Sequence, residues 1–121
     1  MAGKTVLVVD DSKVSRMMII ALIKEIDEGV NVIEADCGQA ALEMVKTENV
    51  DYFSVDLNMP GMDGLELITK LQPEYPNAKY SLLTANVQDS TRDQCKALNI
   101  KYTEKPVTEA CIKEMMEYFN G

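Results

Sequence analysis

Five short apolar runs alternate along this chain with longer segments whose apolar residues recur at helical spacing. The predicted strands are residues 5–9, 31–35, 52–55, 79–83 and 100–103. The predicted helices are residues 12–26, 38–48, 65–71, 88–98 and 108–119. Strands that alternate with helices form a parallel sheet through right-handed crossovers, with helices on both faces. The alternation therefore predicts one domain of the α/β class with five strands and five helices.

The first and last helices have the most distinct apolar faces. In the last helix, apolar residues recur at i, i+3, i+4 and i+7, as Ile112, Met115, Met116 and Phe119. In the first helix we predict a buried face formed by Val14, Met17, Met18, Ala21 and Leu22. Asp11 or Ser12 is expected to cap its first amides. Because methionine is flexible and polarizable, the eight Met residues suit either the core or an adaptable partner surface.

Composition excludes several functional classes. The 121 residues match a single domain, and the net charge of −8 disfavours binding to the phosphate backbone of nucleic acids. The chain has no histidine, and its cysteines, Cys37, Cys95 and Cys111, are far apart, which excludes the common zinc-binding spacings and a Cys–His nucleophile. No apolar run approaches the roughly 20 residues that span a bilayer, and no signal peptide is apparent. We expect a cytoplasmic protein without nucleic-acid or membrane partners.

Polar residues end four of the predicted strands. They are Asp10, Asp11, Asp56, Thr84 and Lys105. In an open α/β sheet, ligands bind outside the carboxyl ends of the strands, which lie along one edge. Each residue also has a simpler explanation in isolation, since the acidic pair and Thr84 can cap helices and Lys105 can be a solvated charge. Their joint placement favours one site over separate structural roles.

Three clustered carboxylates raise one another's pKa values unless a cation joins them. Mg²⁺ binds through one or two carboxylates, carbonyl oxygens and water, which suits Asp11, Asp56 and a backbone carbonyl of the following loop. Lys105 supplies a positive charge for an anionic group, and Thr84 supplies a hydroxyl donor. This combination predicts a phosphoryl group that is carried on Asp56, or passes through it, after nucleophilic attack by its carboxylate.

Four motifs in this order resemble the receiver domain of two-component response regulators, specifically the stand-alone type typified by the bacterial chemotaxis regulator. The motifs are residues 6–12 (VLVVDDS), 55–64 (VDLNMPGMDG), 83–85 (LTA) and 102–106 (YTEKP). The resemblance implies a flavodoxin-like, doubly wound sheet with the strand order 2-1-3-4-5 that is known for the chemotaxis regulator. It also implies one receiver domain over residues 1–121, with no output domain.

The resemblance also implies site residues. Asp56 matches the phosphoacceptor, Asp10 and Asp11 match the acidic pair that binds Mg²⁺, and Asn58 matches the residue whose backbone carbonyl is a further ligand. Thr84 and Lys105 match the hydroxyl and ammonium groups that contact the phosphoryl group, so that both assist its transfer.

Signalling partners follow from the same resemblance. Thr84 is implied to act as a switch together with Tyr102, whose rotamer reports activation. The implied donor is a sensor histidine kinase or a phosphotransfer protein, and a downstream target docks near Tyr102. Chemotaxis, a relay, a phosphate sink and control of a separate enzyme remain open as processes. The protein is expected to be a phosphoacceptor rather than a separate enzyme.

The alternative is a phosphohydrolase of the haloacid dehalogenase type, which also forms an aspartyl phosphate. Those enzymes carry a second Asp two residues beyond the nucleophile as general acid and base. Here that position is Asn58, which cannot transfer a proton. The acidic pair also comes first in this chain, and 121 residues leave no room for a cap domain. The sequence therefore favours the receiver.

Overall fold

The computed structural model describes residues 3–86 and 88–121. Its strands are β1 (Thr5–Val9), β2 (Asn31–Ala35), β3 (Tyr52–Asp56), β4 (Lys79–Thr84) and β5 (Lys101–Glu104). Its helices are α1 (Lys13–Ile26), α2 (Gly38–Met44), α3 (Gly64–Leu71), α4 (Asp89–Leu98) and α5 (Glu109–Asn120). All four strand pairs are parallel, in the order β2-β1-β3-β4-β5. The predicted flavodoxin-like α/β fold is confirmed.

The sheet separates two apolar cores. Alternate side chains of a strand point to opposite faces, so neighbouring residues of β1 enter different cores. One core joins the sheet to α1 and α5 and includes Val6, Val8, Ile19, Ile23, Ile112, Met115, Met116 and Phe119. The other joins it to α2, α3 and α4 and includes Leu7, Val9, Ala41, Phe53, Val55, Leu67, Ile68, Leu71 and Cys95. The predicted apolar face of the last helix is confirmed.

Several predicted boundaries move by one residue because of capping. Ser12 lies outside α1, and its hydroxyl accepts a hydrogen bond from the Ser15 amide. Thr108 likewise precedes α5 and accepts from the Cys111 amide, whereas Gln88 precedes α4 without a side-chain capping bond. The strands β3 and β4 each extend one residue further than predicted, so that their last residues are Asp56 and Thr84.

The second helix is shorter than the sequence predicts. It ends at Met44 rather than residue 48. The Lys46 amide donates to Glu43 O and the Thr47 amide to Met44 O, at 3.2 and 3.1 Å, so this segment has the tighter i→i+3 pattern. Tight turns of this kind commonly follow a helix.

The predicted buried face of the first helix is wrong for most of its residues, although Leu22 packs partly buried against the core. Val14, Met17 and Met18 are 67%, 59% and 46% exposed, whereas Ile19 and Ile23 are buried against α5 and the sheet. Val14, Met17 and Met18 therefore lie on the outer face of α1. No helix within residues 3–86 and 88–121 is long and apolar enough to cross a membrane.

Candidate functional site

Three carboxylates meet at the carboxyl edge of the sheet. Asp10 and Asp11 follow β1, and Asp56 is the last residue of β3. Each offers one carboxylate oxygen, and these oxygens all lie within 4.8 Å of one another. Asp10 and Asp56 are buried, whereas Asp11 is exposed. These three residues, the acidic cluster, lie together as the strand ends predict.

Lys105 extends from the end of β5 into the acidic cluster. Its Nζ lies 3.1 Å from Asp10 Oδ2 and 3.2 Å from Asp56 Oδ1. Two like charges about 4 Å apart repel by about 4 kcal/mol at an effective dielectric constant of 20, so this ammonium group offsets part of the repulsion between the two buried aspartates. Lys105, which follows the last strand, therefore forms ion pairs with Asp10 and Asp56, which lie at the ends of the first and third strands.

The electrostatic environment perturbs both partners of this ion pair. Burial raises the pKa of Asp56 above its usual value, the charge of Asp10 raises it further, and Lys105 opposes both effects. Burial by itself lowers the pKa of Lys105, but the charges and hydrogen bonds of Asp56 and Asp10 outweigh it and hold that pKa above its usual value. Additional positive charge at this site would therefore favour the ionised form of Asp56.

Asp10 is held by donors that sequence reasoning did not identify. The Ser12 amide donates to Asp10 Oδ1 at 2.9 Å, and the Ser15 hydroxyl donates to Asp10 Oδ2 at 2.7 Å. Arg16 donates through NH1 to the backbone carbonyl of Asp10 at 2.7 Å. The search along strand ends missed Ser15 and Arg16 because they belong to the first turns of α1, which begins just after the acidic pair.

The loop after Asp56 closes tightly against the strand end. The Gly64 amide donates to Leu57 O at 3.0 Å, and a Cβ atom at Gly64 would lie 2.4 Å from the backbone oxygen of Asp56. Only glycine permits this approach without a backbone shift. Asn58 is exposed in the same loop, and Asp63 caps α3 by accepting from the Glu66 amide.

Thr84 lies at the end of β4, and its side chain forms hydrogen bonds with the loop that follows this strand. Its Oγ1 accepts from the Asn86 amide at 3.0 Å and donates to Asn86 O at 3.4 Å. The backbone carbonyl of Thr84 accepts from the Lys105 amide at 2.9 Å. Within the described residues, the hydroxyl of this buried side chain thus faces the β4–α4 loop.

Tyr102 lies beside the same loop. Its hydroxyl donates to Asn86 O at 3.3 Å, and the Arg92 guanidinium is 5.3 Å from the centre of its ring. Arg92 also pairs with Glu104 at 2.7 Å. Arg92 from α4 therefore contacts two side chains of β5, a pairing that the sequence analysis did not predict.

The donor set fits a hard divalent cation. Carboxylate oxygens of three aspartates lie within 4.8 Å of one another, and Mg²⁺ prefers oxygen ligands and retains several waters. Both oxygens of Asp10 already accept hydrogen bonds from the protein, whereas Asp11 is exposed. Asp11 and Asp56 are thus better suited to direct coordination than Asp10.

Comparisons with known proteins agree with the fold. The family model of the response regulator receiver domain matches residues 6–117. The chain belongs to this family. Among relatives of this receiver domain, the chemotaxis protein CheY of Pseudomonas aeruginosa is 32% identical, with 93% of this chain and 92% of that protein covered.

Other relatives are larger proteins. A cyclic di-GMP phosphodiesterase of Thermotoga maritima is 35% identical over 85% of this chain, but the chain spans only 27% of that protein.

Among solved structures, the chemotaxis protein CheY4 of Vibrio cholerae has a TM-score of 0.87 and 26% identity, covering 98% of this chain and 99% of that one.

Family membership defines the general function. The chain is a CheY-like receiver domain of two-component signal transduction and a phosphoacceptor, and the hydrolase alternative is not favoured. Receiver domains bind Mg²⁺ at an acidic pocket, and they interact with histidine kinases and downstream targets. Family membership alone does not assign roles to individual residues and does not identify the partners of this chain.

Proposed function

We propose that this receiver domain accepts a phosphoryl group on Asp56 from the phosphohistidine of a sensor kinase or phosphotransfer protein. One observation carries this proposal: the buried carboxylate of Asp56 lies at a strand end, 3.2 Å from the Lys105 ammonium and beside two further aspartates. A carboxylate in this environment can act as a nucleophile. The negative charge of the phosphoryl group that it accepts would then lie close to the Lys105 ammonium group.

In the proposed reaction, a carboxylate oxygen of Asp56 attacks the phosphorus atom. The new O–P bond forms as the N–P bond of phosphohistidine breaks, and the imidazole nitrogen takes the electron pair and later a proton. Asp11, Asp56 and the backbone carbonyl of Asn58 would hold Mg²⁺, with Asp10 acting through water. Mg²⁺ supplies positive charge that offsets the charge on the phosphoryl oxygens. Lys105 is already positioned to contact one of them.

The proposed output begins at Thr84. As the aspartyl phosphate forms, the hydroxyl of Thr84 and the ammonium of Lys105 are drawn to its oxygens, since charge-assisted hydrogen bonds are stronger than neutral ones. Tyr102 then turns inward, and the surface of α4, β5 and α5 changes. A downstream target binds this surface. Support comes from Asn86, whose backbone now holds both hydroxyl groups.

The phosphodonor is proposed to dock on the outer face of α1. Val14, Met17 and Met18 are exposed there, and α1 begins two residues after Asp11 of the acidic cluster. A protein that delivers a phosphoryl group to Asp56 must cover this edge of the sheet, which places its surface against the start of α1. Exposed methionines adapt to a partner's shape.

The cellular setting is part of the proposal. We place the protein in the cytoplasm as one receiver unit that signals by phosphorylation-dependent protein contact rather than by its own catalytic turnover. Its net charge of −8 supports partners other than nucleic acids and anionic membranes. Chemotaxis is the process named for the relative in P. aeruginosa, and we propose it for this chain.

Mass spectrometry after incubation with acetyl phosphate tests the proposed chemistry. We expect one phosphoryl adduct on the Asp56 peptide with Mg²⁺, none with a chelator, and none in Asp56→Asn. Asp63→Asn is the matched control, because Asp63 caps α3 outside the acidic cluster, and it should match the parent. Steady consumption of acetyl phosphate without an adduct would favour the hydrolase, and an equal adduct in Asp56→Asn would exclude Asp56 as the acceptor.

A further inference from the structure

A serine from α1 contributes its hydroxyl to the charged site. Ser15 Oγ donates to Asp10 Oδ2 at 2.7 Å and accepts from Lys105 Nζ at 3.4 Å. The ammonium group also lies 3.1 Å from Asp10 Oδ2 and 3.2 Å from Asp56 Oδ1. An ammonium group has three protons, and these three oxygens provide one acceptor for each.

The same hydroxyl completes the hydrogen bonding of Asp10. The Ser12 amide holds Oδ1, while Ser15 and Lys105 hold Oδ2. Donors on both oxygens fix the plane of the carboxylate. Among the described residues, Asp10 Oδ2 would keep only the ammonium donor without Ser15, and Lys105 would lose its neutral side-chain acceptor.

We propose that Ser15 is a positioning residue that fixes Asp10 and Lys105 around Asp56 before a phosphoryl group arrives. This inference rests on the proposed phosphoacceptor role of Asp56. Ser15 touches neither the attacking oxygen nor the incoming group, and it acts through the two residues that it contacts. Its hydroxyl is well suited to this role, because it donates to the anion and accepts from the cation without adding charge.

The substitution Ser15→Ala separates this role from helix stability. Alanine is a better helix former than serine, and the backbone amide of Ser15 keeps its bond to the Ser12 hydroxyl. The first turn of α1 is therefore retained or strengthened. A change in Lys105 proton exchange, in Mg²⁺ affinity or in the rate of phosphorylation would therefore be due to the missing hydroxyl.

The first measurement needs no phosphoryl transfer. In metal-free protein, NMR of the Lys105 ammonium group follows the exchange of its protons with water. We expect exchange in Ser15→Ala to be roughly fivefold faster, the factor for one lost hydrogen bond of average net strength. We also expect calorimetry to give a Mg²⁺ Kd about fivefold weaker and acetyl phosphate to phosphorylate Asp56 about fivefold more slowly.

Two further variants make the result decisive. Ser15→Thr retains a hydroxyl and should restore all three values. Ser90→Ala, the same change in the first turn of α4, should resemble the parent in all three. Parent-like exchange and Mg²⁺ affinity in Ser15→Ala, or equal losses in Ser15→Thr, would overturn the positioning role. Failure of the parent to be phosphorylated on Asp56 would instead overturn the proposed function, and the exchange measurement separates the two outcomes.

Discussion

The hydroxyl groups of Thr84 and Tyr102 meet at one acceptor, the backbone carbonyl oxygen of Asn86. Thr84 Oγ1 lies 3.4 Å from this oxygen and the Tyr102 hydroxyl 3.3 Å. Thr84 also accepts from the amide of the same residue. A movement of Thr84 towards Asp56 would break its bonds to Asn86 and free this backbone to move. The Asn86 backbone therefore connects the Thr84 side chain to the Tyr102 hydroxyl.

Removal of the Thr84 hydroxyl should uncouple Tyr102 from phosphorylation. Thr84→Ala leaves the Asn86 amide without its side-chain acceptor, which we expect to cost about 1 kcal/mol in the free energy of unfolding. Asp56 should still accept phosphate from acetyl phosphate, but the accompanying change in the NMR signals of the Tyr102 ring should be largely lost. Thr84→Ser keeps the hydroxyl and should preserve that change. A parent-like response in Thr84→Ala would contradict the proposed link.

Arg92 should influence the position of Tyr102 more than the stability of the fold. It lies over the Tyr102 ring and pairs with Glu104, and both ends of that ion pair are about half exposed. Exposed ion pairs contribute little to stability, so Arg92→Ala should change the melting temperature by about 2 °C or less. The ring signals of Tyr102 should nevertheless shift in the unphosphorylated protein.

A matched control for Arg92→Ala is Lys46→Ala, which removes the exposed ion pair between Lys46 and Glu43 of α2. It should leave the Tyr102 signals unchanged. If both variants shift those signals equally, the effect would come from a general charge change and the specific contact of Arg92 would not be responsible.

The outer face of α1 should affect transfer from a protein donor only. Met17→Asp places a charge on an exposed position, so stability should change little. Phosphotransfer from a purified, autophosphorylated sensor kinase should slow by about fivefold or more, the factor that corresponds to losing an interface residue worth over about 1 kcal/mol. The rate with acetyl phosphate should not change. Lys70→Asp on α3 is the control, and an equal loss in both variants would contradict docking on α1.

Sequence reasoning predicted the sheet and the acidic cluster because both follow from strand position. Apolar runs locate the strands, and parallel strands bring their last residues to one edge. Asp10, Asp56 and Lys105 are far apart in sequence, yet they form ion pairs at 3.1 and 3.2 Å. The order of strands and helices, which the sequence shows directly, is sufficient to predict that these residues meet.

The face of α1 could not be predicted in the same way. Residues 17–23 are all apolar, so two different stripes satisfy helical spacing. Packing against α5 selects the stripe with Ile19 and Ile23, a tertiary effect with no local signal. Ser15 was missed because it lies on a helix, and the contribution of Asn86 was missed because it comes from the backbone.

Gly64 should be essential for the geometry of Asp56. In Gly64→Ala the new Cβ would lie 2.4 Å from the Asp56 backbone oxygen and 2.8 Å from Leu82 Cδ1. The strand end must shift, so we expect a loss of about 2 kcal/mol in denaturant unfolding and slower phosphorylation of Asp56. Gly61→Ala is the comparison, because Gly61 has open space but a φ of 79°. It should cost about 1 kcal/mol without slowing phosphorylation.

Asp56 should destabilise the metal-free protein at neutral pH. Its pKa is raised from 3.8 chiefly by burial and then by Asp10, so the folded state disfavours the charged form. The resulting loss of stability is absent below the unfolded pKa, near 3.8, and accumulates as the pH rises through the folded pKa. In chelator at pH 7, Asp56→Asn should therefore be more stable than the parent, although Lys105 loses one partner.

Unfolding in urea as a function of pH measures this difference. The two proteins should converge as the pH falls below 3.8, where the Asp56 carboxyl is neutral in both the folded and the unfolded states. Asp63→Asn should not show the gain at pH 7. Addition of Mg²⁺ should stabilise the parent more than Asp56→Asn, because an ion that binds only the folded state adds its binding free energy to stability. A parent that is the more stable protein in chelator at pH 7 would mean that attraction to Lys105 outweighs both burial and Asp10.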